Sequence, residues 1–246
     1  MIPLKSEIDL SLMRASGRIL AGVMRDLQKY VKVGVTTAEL DIVAGELIAK
    51  ENAIAAFKGY KGFPANICAS INEEIVHGIP SDRKLKEGDI LSLDLGVIYQ
   101  GYYSDSAVTV AVGKIDGKVK KLIEVTRDAL MEGVKQAKSN NRISDISCAI
   151  QNYVERNGFS VVRQFVGHGI GKNLHEEPEI PNFGQPHRGE VLKPGMVLAI
   201  EPMVNMGSWQ SEILDNGWTA VTRDRSLSAH FEHTVAITEK GPEIIT

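Results

Sequence analysis

The sequence predicts an α+β fold, with helices packed on one face of a curved, mainly antiparallel sheet and the chain built as two similar halves. Three observations predict it. First, one string occurs twice: Leu85-Lys86-Glu87-Gly88-Asp89-Ile90-Leu91-Ser92-Leu93-Asp94 and Leu192-Lys193-Pro194-Gly195-Met196-Val197-Leu198-Ala199-Ile200-Glu201. Each copy reads as a turn followed by a short apolar strand that ends in a carboxylate. Second, each copy is preceded by two stretches with apolar residues at helical spacing. Third, a second acid heads a later strand in each half: Asp105 before Ser106-Ala107-Val108-Thr109-Val110, and Glu232 before His233-Thr234-Val235-Ala236-Ile237.

The elements follow in order. Residues 6–30 form a helix, with Ser6 as N-cap and Ile8, Leu12, Ile19, Leu20, Val23, Met24 and Leu27 at helical spacing. Val33-Gly34-Val35 is a turn. Thr36 or Thr37 caps a second helix whose apolar face holds Leu40, Val43, Leu47 and Ile48. Strands are expected near 65–71, 89–95, 97–101 and 106–112. The second half repeats the pair: a helix over 117–138, a turn at Asn140-Asn141, and a helix capped by Ser144 that carries Ile146, Ile150 and Val154. Its strands are expected near 160–167, 196–201, 218–223 and 233–238. Gly88 and Gly195 mark tight turns. Residues 172–191 have no clear period and read as a long loop, a kind of segment that is often functional. The repeat favours one domain, 1–246, in halves of about 1–115 and 116–246.

Composition narrows the class. The 246 residues are 43% hydrophobic and 24% charged, enough to bury a large core. A net charge of −3 leaves no basic footprint for nucleic acid. Two cysteines, Cys68 and Cys148, imply no disulfide framework and fit a reducing cytosol. The first residues carry acids where a signal peptide needs an apolar core. No apolar stretch approaches the roughly 20 residues of a membrane helix. The expectation is a cytoplasmic protein, and a monomer, because no apolar surface stripe remains unassigned.

The candidate ligands, in order, are His77, Asp94, Asp105, His168, His175, Glu201 and Glu232. Any one alone is an ordinary polar residue. Asp94 and Glu201, however, end apolar strands at the same place in the repeat, so an accident would have to occur twice. Acids buried without a partner are costly. Four of them with one or two imidazoles suit two divalent cations, and oxygen-rich ligation favours Mn, Fe or Co over a structural Zn. Two cations about 3.5–4 Å apart could share Asp105 and Glu232 and hold a hydroxide between them, which points to metal-assisted hydrolysis. Gly167-His168-Gly169-Ile170-Gly171-Lys172 looks like a phosphate loop, but it lacks the full spacing and the Ser/Thr after the lysine. Its glycines fit close backbone packing around His168 better.

The chain resembles the pita-bread metallopeptidases and, within them, the type I methionine aminopeptidases. The resemblance spans essentially the whole chain. It rests on the spacing of the candidates and on four strings: Ile71-Asn72-Glu73-Glu74-Ile75-Val76-His77-Gly78-Ile79-Pro80, Gly167-His168-Gly169-Ile170-Gly171, His175-Glu176-Glu177-Pro178 and Asp224-Arg225-Ser226-Leu227-Ser228-Ala229. It implies that Asp94 and Asp105 hold one ion and that Asp105, His168, Glu201 and Glu232 hold the other, with Asp105 and Glu232 bridging. It implies Co, Mn or Fe(II) as the ions, with Ni or Zn also admissible. It implies that Glu201 shuttles a proton from the nucleophile to the leaving amine. His175 would contact the scissile carbonyl or its oxyanion, and His77 the scissile or adjacent amide. Tyr60, Phe63, Cys68, Leu174 and Trp218 would wall an apolar pocket for a methionine side chain. At Phe57, Phe63, Leu174 and His230 the chain departs from commoner choices of the family, which bears on pocket shape rather than on ligation.

The implied activity is removal of the initiator methionine from nascent chains when the second residue is small, with transient contact to the ribosome. An Xaa-Pro peptidase of the same fold is disfavoured, because those enzymes carry a large extra N-terminal domain and the catalytic pattern here begins after about 60 residues. A type II enzyme would need a helical insertion for which the stretch from His175 to Glu201 is too short. A non-catalytic binding protein of this fold should have lost a ligand, and none is missing.

Overall fold

The computed structural model describes residues 2–246. Helix α1, Glu7–Gln28, starts at Ser6 through a reciprocal cap: the Ser6 hydroxyl accepts from the Asp9 N–H at 3.2 Å and the Asp9 carboxylate accepts from the Ser6 N–H at 2.8 Å. Its buried stripe runs through Leu10, Met13, Gly17, Leu20, Met24 and Leu27. Helix α2, Thr37–Lys50, repeats the device with Thr36 and Glu39. Helix α3, Gly117–Gln136, is capped by Asp116, which accepts from the N–H groups of Lys118 and Val119.

Helix α4, Ile143–Arg156, begins earlier than the expected Ser144 cap, with Arg142 at the N-cap position. The Asp145 carboxylate accepts from the Arg142 N–H at 2.7 Å, and so does the work assigned to Ser144. The Ser144 hydroxyl instead donates to the Arg188 carbonyl at 2.8 Å, tying the helix to the loop that passes over it.

Among the described residues the main sheet has nine strands, all paired antiparallel. The path runs Ile54–Ala55, Ile90–Tyr99, Tyr102–Ala111, Glu232–Thr238, Val197–Ile200, Gly167–Gly169, Glu176–Ile180. Cys68–Ile71 pairs with Ile90–Tyr99, and Gly241–Ile244 with Glu232–Thr238. Two three-stranded sheets flank it: Ser228–His230 with Met203–Asn205 and Ser160–Val161, and Ser211–Ile213 with Ala220–Thr222 and Glu74–Val76.

Three expectations are corrected here. The strands expected at 89–95 and 97–101 are one strand, because the chain passes through Gly96 without breaking. A Cβ at Gly96 would lie 3.0 Å from the Ala56 methyl and 3.1 Å from the Phe57 ring, so glycine there admits a neighbour rather than a turn. The turn comes at Gln100 and Gly101, both at positive φ, as a two-residue hairpin of this twist requires. Asp105 therefore lies inside a strand and does not precede one. Finally, residues 172–191 are not all loop, since Glu176–Ile180 completes the sheet edge.

Alternation places the chemistry. Leu91, Leu93, Leu95 and Val97 face α1 and α2 in one core, while Leu198, Ile200, Val235 and Ile237 join α3 and α4 in another. The repeated turns match as well: Gly88 and Gly195 both sit at φ +89°, ahead of the strand that contains Asp94 and the strand that leads into Glu201.

Candidate metal centre and pocket

The register fixes which side chains meet. Asp94 pairs with Ala107, and Gly96 with Asp105. Ala107 also pairs with Glu232, so Asp94, Asp105 and Glu232 point to one face of three adjacent strands. His168 pairs with Ala199, which pairs with Thr234, two residues from Glu232 on that same face. Glu201 lies two residues beyond Ala199. All five candidate ligands thus share the face opposite the helices. The positions between them are Gly96, Ala107, Ala199 and Thr234, small residues that leave room.

Ligand atoms of Asp105, His168 and Glu232 lie within 4.8 Å of one another. His168 Nε2 is 3.5 Å from Glu201 Oε1. His168 Nδ1 lies 2.9 Å from the Gly169 carbonyl, which can only accept, so Nδ1 carries the proton and Nε2 presents its lone pair to the carboxylates. Asp94, Asp105, His168 and Glu232 are buried, and the Glu201 side chain is 13% exposed. Burial pushes the Asp94 carboxyl up to about 7. Burial, and then the neighbouring carboxylates, push Asp105, Glu201 and Glu232 well above the ordinary range. Burial lowers His168 to about 4, so its imidazole is neutral and free to ligate. Asp94 Oδ1 and Glu232 Oε1 are buried with no hydrogen-bond partner. Unpartnered buried carboxylate oxygens crowded together lack one thing, a positive charge among them. This donor set of oxygens and one imidazole fits divalent cations.

The cluster floors a cavity of about 210 Å³. All the candidate ligands and proposed pocket residues line it: Asp94, Asp105, His168, Glu201 and Glu232 together with His77, His175, Tyr60, Phe63, Cys68, Leu174 and Trp218. Phe63 meets Trp218 edge-on with ring centroids 5.1 Å apart. Tyr60 stacks on His175 at 5.3 Å, with its hydroxyl 2.9 Å from His175 Nδ1. His175 is exposed at the mouth, 4.2 Å from His168 between ring centroids. Desolvation and then His168 hold its pKa below the usual value. His77 sits at φ +60°, uncommon outside glycine, and its carbonyl accepts from the Thr219 hydroxyl at 3.2 Å. Desolvation lowers its pKa too.

Sequence reasoning passed over four lining residues: Lys61, Val76, Phe165 and Val166. Phe165 contacts the His77 ring at 5.7 Å, edge-on. Its only signal was three residues of separation from His168. Phe57 also lines the cavity, and His230 lies behind it, with Nε2 3.9 Å from Glu201 Oε2 and no partner for either ring nitrogen.

Residues 11–239 match the model of metallopeptidase family M24. The chain is 54% identical over 246 residues to the methionine aminopeptidase of Clostridium perfringens, covering 100% of this chain and 99% of that protein. It belongs to metallopeptidase family M24, among the methionine aminopeptidases. Methionine aminopeptidase 1 of Bacillus subtilis is likewise 54% identical, with the same coverage. The crystal structure of methionine aminopeptidase from Rickettsia prowazekii superposes with a TM-score of 0.99 at 44% identity, each chain covered completely. The fold is therefore the pita-bread fold of M24. Prolidase from Pyrococcus furiosus shares that fold at a TM-score of 0.81 and 23% identity, and this chain covers 65% of it. Membership of M24 implies divalent metal binding, which agrees with the donor set described above.

Proposed function

We propose that this chain is a metal-dependent aminopeptidase that removes N-terminal methionine from nascent proteins when the second residue is small. The observation that carries the reading is one cavity with two chemistries. Its floor is five convergent ligands, and its wall is Tyr60, Phe63, Cys68, Leu174 and Trp218. An apolar wall of this kind suits a thioether side chain. The methionine aminopeptidases at 54% identity support the same substrate.

Two ions are proposed, Asp94 and Asp105 holding one and Asp105, His168, Glu201 and Glu232 the other, with Co, Mn or Fe(II) preferred and Ni or Zn admissible. When bound, such cations supply Lewis acidity and make a water acidic enough to react near neutral pH. Everything else falls to the protein. Glu201, at the strand end above the cluster, takes the proton from the attacking water and returns it to the leaving amine. If the Tyr60 hydroxyl donates to His175 Nδ1, then His175 Nε2 carries a proton aimed into the cavity, where an oxyanion develops. His77 steadies the amide from the opposite wall. Phe165, edge-on to His77 in the same cavity, adds bulk beside it, in keeping with a small second residue. Tyr60 then both walls the pocket and sets the His175 tautomer.

The whole chain, 1–246, is proposed to act as one catalytic domain in two related halves, monomeric and cytoplasmic, meeting its substrates as they leave the ribosome. Among the described residues no helix is long and apolar enough to cross a membrane.

The test is a peptidase assay on chelated protein with Mn, Co or Fe(II) restored. Met-Ala-Ser and Ala-Pro peptides are run side by side, with Glu201→Ala as control. Metal-dependent release of Met from the first peptide only, lost in the variant, is the expected result. Cleavage of the Ala-Pro peptide would move the chain to the proline-specific branch, and no turnover with any metal would leave a binding role.

A further inference from the structure

We infer that Lys5 is a positioning residue for His175, and that the segment ahead of α1 straps the loop 171–176 in place beneath the cavity. This rests on the function proposed above. Lysine is almost never buried unless paired. The Lys5 side chain is 6% exposed, and its ammonium lies 2.6 Å from Glu176 Oε2, on a side chain 7% exposed. The other Glu176 oxygen accepts from the Asn173 N–H at 3.1 Å, so the carboxylate closes the loop on itself as well.

The backbone is shaped around this pair. A Cβ on Gly171 would lie 2.5 Å from Lys5 Cε and 2.9 Å from both Lys5 Nζ and Glu176 Oε1, so the pair packs against bare main chain. The Lys5 N–H donates to the Gly195 carbonyl at 2.7 Å, which fixes the strap to the repeated turn ahead of the Glu201 strand. The Gly171 carbonyl accepts from the Tyr103 N–H at 2.8 Å, two residues from Asp105. The loop is thus tied directly to the strand of Asp105 and, through Lys5, to the turn ahead of Glu201, two of the segments that supply the candidate ligands.

The loop presents Leu174 and His175 to the cavity. Glu176 opens the strand Glu176–Ile180, and neighbouring residues in extended chain point to opposite sides. Anchoring Glu176 below the loop therefore fixes His175 above it. A buried ion pair is a poor source of stability, since desolvation offsets most of its attraction. Its effect here is placement, and a displacement of about 1 Å at a catalytic group costs on the order of 10²-fold in rate.

The test compares Lys5→Met, which keeps the stem and removes the ammonium, Glu176→Gln, and the double variant, all full-length and Mn(II)-loaded, on Met-Ala-Ser. Each single change is expected to lower kcat about 10–100-fold. KM should rise by less than kcat falls, because Leu174 alone of the five wall residues lies on the loop. The Mn(II) affinity from calorimetry should stay at the wild-type value, because the ligands are untouched. The double variant should be no worse than the poorer single, since one contact is lost in all three. Hydrogen exchange should quicken in the Lys5→Met protein at the amides of 171–176 and not in the helices. Wild-type kcat in both singles, or a fall in kcat that tracks weakened Mn(II) binding, would overturn the inference. If the wild-type protein releases no methionine, the proposed function has failed, and the strap is then judged by exchange alone: unchanged protection of 171–176 in Lys5→Met would overturn it.

Discussion

The two faces of the central sheet are both buried, and for opposite ends. On the strand Ile90–Tyr99, Leu91, Leu93, Leu95 and Val97 lie under α1 and α2, while Asp94 on the same strand is turned toward Asp105 and Glu232. Both sets are essentially closed to water. Removal from water stabilises the first set, by roughly 1.5–3 kcal/mol for each large apolar side chain. It penalises the second, whose carboxylates are held above their ordinary pKa. Burial therefore does not report stabilisation. One face folds the protein, and the other is tolerated because a cation completes it.

The sharpest way to break that comparison is on the ligand face. Asp105→Asn should abolish methionine release, and Glu201→Ala should cut kcat about 10²–10⁴-fold. Yet in chelator at pH 8 the Asp105→Asn protein should melt higher than wild type, since one crowded carboxylate is gone. An Asp105→Asn protein less stable than wild type without metal would show that this face is not strained. On the helix face Leu93→Ala should cost about 2–5 kcal/mol with or without metal, measured by denaturant unfolding. If added Mn(II) recovered that loss, the two faces would not be independent.

A smaller effect sharpens the comparison through pH. The four carboxylates have folded pKa values above the unfolded values near 4, Asp94 reaching about 7. Metal-free stability is then fully present below about pH 4 and is lost as pH rises through the folded values. The gain in Tm on adding Mn(II) should be larger at pH 8 than at pH 5.5, and an equal gain would mean that the carboxylates are not the source. The smallest change expected is that of Tyr60→Phe. Loss of the hydroxyl on His175 Nδ1 should lower kcat about 3–10-fold, on the scale of one hydrogen bond, with metal affinity unchanged.

Much of this was legible in the sequence, for a physical reason. A carboxylate following an apolar run is an anomaly, and the repeat made it occur twice, so Asp94 and Glu201 stood out, with Asp105 and Glu232 as the second acid of each half. That Asp94 lies within its strand rather than at its end, and the register that joins the set, came only from the structure. The helix pairs were legible because Ser6, Thr36 and the apolar spacing agree. The failures are places where a distant contact decides local structure. Gly96 looks like a break and is a slot for Ala56 and Phe57. Ser144 looks like a cap and is taken by Arg188. Glu176–Ile180 has no strand pattern, yet the edge offered by Gly167–Gly169 orders it. Phe165 and Lys61 carry no pattern of their own, and only the closed cavity gives them a role.

The proposed ligands run from residue 94 to residue 232: Asp94, Asp105, His168 and Glu232 lie on four different strands, and Glu201 directly follows a fifth. No contiguous fragment of the chain holds the set, and none of its members is brought near the others by a local turn alone except Asp94 and Asp105. Capture of an ion by the full set of Asp105, His168, Glu201 and Glu232 would thereby wait for the slow, long-range strand pairings of the fold. The site proposed for the ion held by Asp105, His168, Glu201 and Glu232 is complete only once Glu232–Thr238, the first strand of the C-terminal hairpin, has docked. Occupancy of both proposed sites would then report that the strands from Asp94 to Glu232 are in register.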